Sequence, residues 1–110
     1  MRQLKIFLLF ITVSCSILAQ DRLSLFISRA NQYASVELSD YRKRLCVEYN
    51  MPNHSLDDYY KRFGNDWGNV GLALEIARSS GKRMNDVCDY YKRYHKHGWN
   101  RVLIEIGIRP

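Results

Sequence analysis

The chain has no unbroken apolar run long enough to cross a bilayer as a helix, which takes about 20 residues. It has no Cys-x-x-Cys, no His-Glu-x-x-His and no acidic calcium-binding loop, so the common metal and redox motifs are absent. No block of five like charges occurs, which rules out a polybasic or acidic tail. Alternating apolar and polar runs bounded by turn residues are also missing, leaving no strand pattern to compete with a helical one.

What apolar run there is lies at the start. Arg2 and Lys5 precede Ile6 to Val13, broken only by Thr12. Small residues Ser14, Cys15 and Ser16 follow, and Ile17, Leu18 and Ala19 lead to Gln20, Asp21 and Arg22. A basic start, a short apolar run and a small residue before a polar break form the secretory pattern. The expectation is a signal peptide over residues 1–19, cut after Ala19, and a single helical domain over residues 20–110, periplasmic or extracellular. The mature chain then has no transmembrane segment. A retained anchor and a lipoprotein cut before Cys15 are the rivals. The second is weakened by Thr12, which stands where a branched aliphatic is usual. Arg2 and Lys5 leave with the signal, so the 17 basic residues fall to 15 against 11 acidic ones, a mature net charge of +4. That favours anionic surfaces without naming a nucleic acid.

Cys46 and Cys88 stay behind, an even pair in an oxidising compartment. A bridge between them would close a loop of roughly 40 residues, worth about 4 kcal/mol in the chain-entropy picture. Two buried free thiols packing as small hydrophobes is the equally weighted alternative.

The mature chain reads as about five short helices in an all-α bundle, after a mixed lead-in over residues 20–30. Ala34, Leu38, Tyr41, Leu45 and Tyr49 recur at helical steps, with Asn31 as the candidate cap and Asn50 and Pro52 as the stop. Ser55 with Asp58 three residues on resembles a capping box for a second helix carrying Leu56, Tyr59, Tyr60 and Phe63 and ending at Gly64. A third opens at Asn65 or Asp66, carries Trp67, Val70, Gly71, Leu74 and Ala77, and stops at Ser79-Ser80-Gly81. Gly71 on that stripe would admit a close helix neighbour. A fourth carries Met84, Val87, Cys88, Tyr91 and His95 and ends at Gly98. A short fifth, capped by Asn100, turns Val102, Leu103 and Ile106 inward and stops at Gly107, with Ile108 folding back.

Asp58-Tyr59-Tyr60-Lys61-Arg62-Phe63 matches Asp89-Tyr90-Tyr91-Lys92-Arg93-Tyr94. Trp67 and Val70 then match Trp99 and Val102, and Glu75-Ile76 matches Glu105-Ile106. The spacing suggests an internal repeat near 58–76 and 89–106, two related helical hairpins about one core. Tyr59, Tyr60, Lys61, Arg62, Tyr90, Tyr91, Lys92 and Arg93 are accordingly the candidate binding residues. Interleaved aromatics and cations suit a protein interface, and also phosphate contact with base stacking. Ordinary solvated helix faces would show the same pattern.

Catalytic constellations are poor. His95 and His97 point about 200° apart on a helix and cannot share one metal as an i, i+4 pair would. His54 is isolated in a turn, and Asp57 and Asp58 diverge where a glycosidase needs facing carboxylates. Glu75 and Glu105 could pair across the two halves, though a solvated face is the simpler reading. Cys46 or Cys88 with His95 could mimic a thiol nucleophile site. Trp99 to Ile108 looks like the start of a helix-turn-helix without its recognition helix.

The segment from Leu38 to Ile108 resembles an uncharacterised group of small exported bacterial proteins. The likeness rests on Asp66-Trp67-Gly68-Asn69-Val70-Gly71-Leu72-Ala73-Leu74-Glu75-Ile76-Ala77, on the Ser80-Gly81-Lys82 turn, and on Gly98-Trp99-Asn100-Arg101-Val102-Leu103-Ile104-Glu105-Ile106-Gly107-Ile108. It implies a helical fold and export, and no activity. The functional expectation is a non-catalytic interaction module with a protein partner and no cofactor. The alternatives are a small exported hydrolase or metal-dependent enzyme using His54, His95 or His97, and, more weakly, a nucleic-acid or anionic-surface binder.

Overall fold

The computed structural model describes residues 19–108, and the side chains of residues 22–108. Residues 1–18 of the expected signal peptide, and with them the fate of Cys15, lie outside the described residues, while Ala19 and Gln20, which flank the expected cut, are the first two residues of a helix. Six α-helices follow one another: α1 (Ala19–Val36), α2 (Leu38–Tyr49), α3 (Asn53–Arg62), α4 (Trp67–Ser80), α5 (Met84–Tyr94) and α6 (Trp99–Ile106), with a 3₁₀ turn at His95–His97 before α6. Among the described residues there is no strand, so the all-α expectation holds. None of the described helices is long and apolar enough to cross a membrane.

The core is organised around α4. Gly68 and every residue from Val70 to Ala77 are buried. Such all-round burial requires a helix wrapped by others, and α1, α2, α3 and α5 all pack on it, α1 most extensively. Asp66 caps it, its carboxylate accepting from the Asn69 N–H at 2.9 Å, and Gly81 ends it in the left-handed conformation at φ 75°.

The 20–30 segment is not a lead-in but part of the longest helix, α1. Phe26, Ala30 and Ala34 recur at steps of four and are buried. The expected single stripe from Ala34 to Tyr49 therefore spans two helices, broken at Glu37, whose φ of −136° and ψ of 63° leave the helical region. Asn31 lies inside α1 and caps nothing on its own helix. Two further caps also shift. α3 starts after Pro52, leaving Ser55 inside its first turn, while Asp58 pairs with Arg62 at 3.0 Å along α3. α6 starts after Gly98 rather than at Asn100. The far end of α6 is as expected. The Ile108 N–H donates to Leu103 at 2.9 Å and the Gly107 N–H to Ile104 at 3.1 Å, the paired bonds of a Schellman stop.

Cys46 and Cys88 are both free, so of the two equally weighted readings the bridge does not form. Cys46 lies on α2 beside the Asn53 side chain. Cys88 is buried on α5 against the end of α3. Glu75 and Glu105 do not meet either. Glu75 is the one buried charged side chain among the described residues, held by the Tyr49 hydroxyl at 2.8 Å, Arg78 at 2.5 Å and the Ser79 hydroxyl at 3.0 Å. Glu105 pairs along its own helix with Arg101 at 2.9 Å.

Candidate functional site

The two Tyr-Tyr-Lys-Arg segments close α3 and α5, and burial of their apolar neighbours decides where the cations go. Leu56 and Phe63 on α3, like Val87 on α5, have no measurable exposure. With those side chains inward, Lys61 and Arg62 on α3 and Asp89 and Lys92 on α5 are forced outward. Phe63 ends α3, and Gly64 at φ 81° and Asn65 at φ 56° reverse the chain into α4. A polar chain fixes this corner. Asn69 donates to the Phe63 carbonyl at 2.9 Å and accepts from the Trp99 indole N–H at 2.8 Å, tying α3, α4 and α6 together.

Where the end of α3 meets α5, an open groove of about 540 Å³ forms. Cys88 and Tyr91 lie at its base, and Lys61, Arg62, Lys92 and His95 stand around it, with Asp89 as its only carboxylate. Lys61 and Lys92 make no ion pair among the described residues, whereas Arg62 is half-engaged by Asp58. Tyr91 is packed on several sides, with ring centroids 4.9 Å from Phe63, 5.0 Å from Trp99 and 4.8 Å from His95. Burial, and secondarily the Asp66 charge, raise the pKa of its hydroxyl, which remains a donor across the neutral range.

The remaining candidates go elsewhere. Tyr60 stacks on Trp67 at 4.5 Å, with the Arg42 guanidinium over the same indole at 5.2 Å. Tyr59 is half-buried near Cys88 and Arg62. Tyr90 and Arg93 line a second depression of about 340 Å³ with Lys82, Asp86 and Asp89, a surface of mixed sign. Of the eight residues, Lys61, Arg62, Tyr91 and Lys92 share one surface.

The alternative of a thiol site at Cys46 or Cys88 with His95, against an inert core thiol, finds one half of its geometry at Cys88. Cys88 and His95 both line the groove. Burial nonetheless pushes the Cys88 thiol up, and the Arg62 guanidinium against it only partly offsets this. A protonated thiol is a poor nucleophile. His95 Nδ1 donates to the Tyr91 carbonyl at 2.9 Å. His54 sits in the first turn of α3, roughly 12 Å of helix rise from Arg62. His95 and His97 occupy a 3₁₀ turn, where two steps still part them by about 120°. Among the described residues, no three His, Cys, Asp or Glu side chains gather as a metal site.

The sequence pattern missed the cap of α4 from another helix. Asn31 on α1 accepts from the Gly68 N–H at 2.8 Å and donates to Asp66 at 3.0 Å. The available signal was an asparagine at helical steps from the apolar Ile27 and Ala34. Asn31→Ala strips both bonds and leaves the buried Gly68 N–H unpaired. It should destabilise the domain by about 2 kcal/mol, read as a fall in the urea midpoint with an unchanged slope.

Against protein-family models, curated proteins and solved structures alike, the chain finds no match.

Proposed function

We propose that the chain is a non-catalytic helical interaction module, exported from a bacterial cell, which grips a protein partner through the groove between α3 and α5. The observation that carries this is a convergence: segments 31 residues apart in sequence deliver Lys61 and Arg62 from one side and Tyr91 and Lys92 from the other to one open surface. Tyr and Arg are favoured anchors at protein interfaces, and the two unpaired lysines add charge that steers association.

The duplicated-hairpin reading belongs to the same proposal. Val70 and Val102 are both fully buried, and each Tyr-Tyr-Lys-Arg segment sets its second tyrosine against the following tryptophan, Tyr60 on Trp67 and Tyr91 on Trp99. The segments differ at their last residue, since Phe63 is fully buried and Tyr94 half-buried. Export rests on residues 1–19 alone, because two unbridged cysteines no longer support it.

Charge reversal tests the module better than removal of tyrosines, because Tyr60 and Tyr91 are packed against indoles and their loss would disturb the fold. Lys61→Glu/Lys92→Glu alters two exposed side chains in the last turns of α3 and α5, so stability should fall by no more than about 1 kcal/mol per site. In a cross-linked pull-down from an envelope fraction, the partner recovered by the wild type should be lost from this variant. Equal recovery by both proteins would remove the groove from consideration.

A further inference from the structure

We infer that the groove takes an acidic peptide segment, whose carboxylates are spread along an extended or helical stretch of the partner. This rests on the groove being the interaction surface and names the chemistry of what fills it.

The polar part of the lining is mostly donors. Lys61, Arg62 and Lys92 are cationic, and the Tyr91 hydroxyl, near Gly64, makes no hydrogen bond among the described residues. Such a lining calls for oxyanions. Three features favour many separated carboxylates over one compact polyanion. First, α3 and α5 both end here, at Arg62 and Tyr94, and helix C-termini carry partial negative charge that opposes a concentrated dianion at the base. Second, Asp89 stands in the groove itself and repels any anion seated deeply beside it. Third, the nearby N-terminus of α4 has its leading N–H groups occupied by Asn31 and Asp66, so it offers no phosphate cradle of the usual kind. Long lysine side chains reaching outward meet carboxylates held away from the helix ends without these penalties.

Nucleic acid is also an extended polyanion, but binding it without sequence preference relies on open aromatic faces. Here the rings are engaged with one another. Tyr60 stacks on Trp67, Tyr90 on Tyr94, and Tyr91 is flanked by His95 and Trp99. The cations are present and the stacking platform is not.

The test is fluorescence anisotropy of the whole chain with fluorescein-labelled oligoglutamate, alongside oligothymidylate of matched charge and inorganic pyrophosphate as competitors. Lys61→Glu/Lys92→Glu is compared with Lys43→Glu/Arg83→Glu, which changes net charge equally at exposed positions outside the groove. Oligoglutamate should bind in a salt-dependent way, weaken roughly tenfold or more in the groove variant and less than about threefold in the control. Both variants should still melt in one cooperative transition, lowered only slightly, since one loses last-turn cations and the other the Arg83–Asp86 ion pair. Equal weakening in both variants, stronger binding of oligothymidylate or pyrophosphate, or no oligoglutamate binding at all would each overturn the inference. If the groove variant loses its pulled-down partner while oligoglutamate binds neither protein, the interaction surface stands and the acidic-peptide inference falls.

Discussion

Phe63→Ala should cost about 3–5 kcal/mol, the largest single loss expected from any side chain near the groove. Phe63 has no exposed surface. Its ring lies 4.9 Å from Tyr91 and 6.1 Å from Trp99, and its carbonyl accepts from Asn69. One side chain thus joins the end of α3 to α5 and α6. A domain of about 90 residues has roughly 5–13 kcal/mol of stability in total, so the variant should lose about a quarter of it or more. The check is a urea titration. The midpoint should fall sharply in Phe63→Ala, while Phe63→Leu, which refills most of the volume, should cost under about 2 kcal/mol. A cost below about 1.5 kcal/mol for the alanine would mean that the corner relaxes and that Phe63 does not anchor α3. Phe63→Tyr is a sharper comparison, since tyrosine is native at the matching position 94. Tyr94 is half-buried, with Arg101 over its ring, whereas a hydroxyl on the buried Phe63 ring would be placed among the Tyr91 and Trp99 rings. An unpaired buried hydroxyl costs about 1–3 kcal/mol.

Local chemistry made some of the fold legible in the sequence and long-range contact hid the rest. α4 was readable because its signals lie within it or at its ends: an apolar stripe, the Asp66 cap and the Gly81 stop. The Gly107 stop of α6 was readable for the same reason. α1 was not. Two of its buried positions are alanines, Ala30 and Ala34, which give a weak apolar stripe, and its close approach to α4 depends on Gly68 about 40 residues later, which presents no Cβ to Ile27 and Asn31. The break at Glu37 carries no glycine or proline to announce it. Asn31 looked like a cap for the helix that follows it and instead serves α4 across the core. The groove was half legible. The repeated Asp-Tyr-Tyr-Lys-Arg pattern marked the correct helix ends, but only the packing of α3 against α5 separates Lys61, Arg62, Tyr91 and Lys92 from Tyr60, which turns to Trp67. The cysteine count left a bridge and two free thiols equally open, because pairing is a distance and spacing in sequence does not supply one.

Gly68→Ala and Gly71→Ala should both destabilise the domain, although alanine in a helix interior ordinarily gains about 0.5–1 kcal/mol over glycine. The contacts oppose that gain in different ways. A Cβ on Gly68 would overlap the Ile27 carbonyl oxygen, a backbone atom of α1 that cannot swing aside. α1 would have to move off α4 as a unit, losing the Asn31 bond to Gly68 with it, and a net loss of about 2–3 kcal/mol is expected. A Cβ on Gly71 would lie 2.5 Å from the Tyr41 hydroxyl. Tyr41 is 1% exposed and its hydroxyl donates to the Trp67 carbonyl at 2.7 Å, so it has nowhere to go. Here the obstruction is one removable atom. In Tyr41→Phe the nearest atom of that side chain to the new Cβ becomes the ring carbon at 3.7 Å, an ordinary contact. Tyr41→Phe alone should cost about 1 kcal/mol for the lost hydrogen bond. Combined with Gly71→Ala it should relieve the clash, so the double variant should be more stable than the sum of the singles by about 1–2 kcal/mol. Tyr41→Phe with Gly68→Ala should show no such relief, because the Gly68 clash is with α1 backbone and removing the tyrosine hydroxyl opens no space there. Urea midpoints for the three singles and two doubles give both couplings. A stabilising Gly71→Ala, or equal couplings at the two glycines, would show that α2 does not approach α4 as closely at Gly71 as the Tyr41 hydroxyl contact requires.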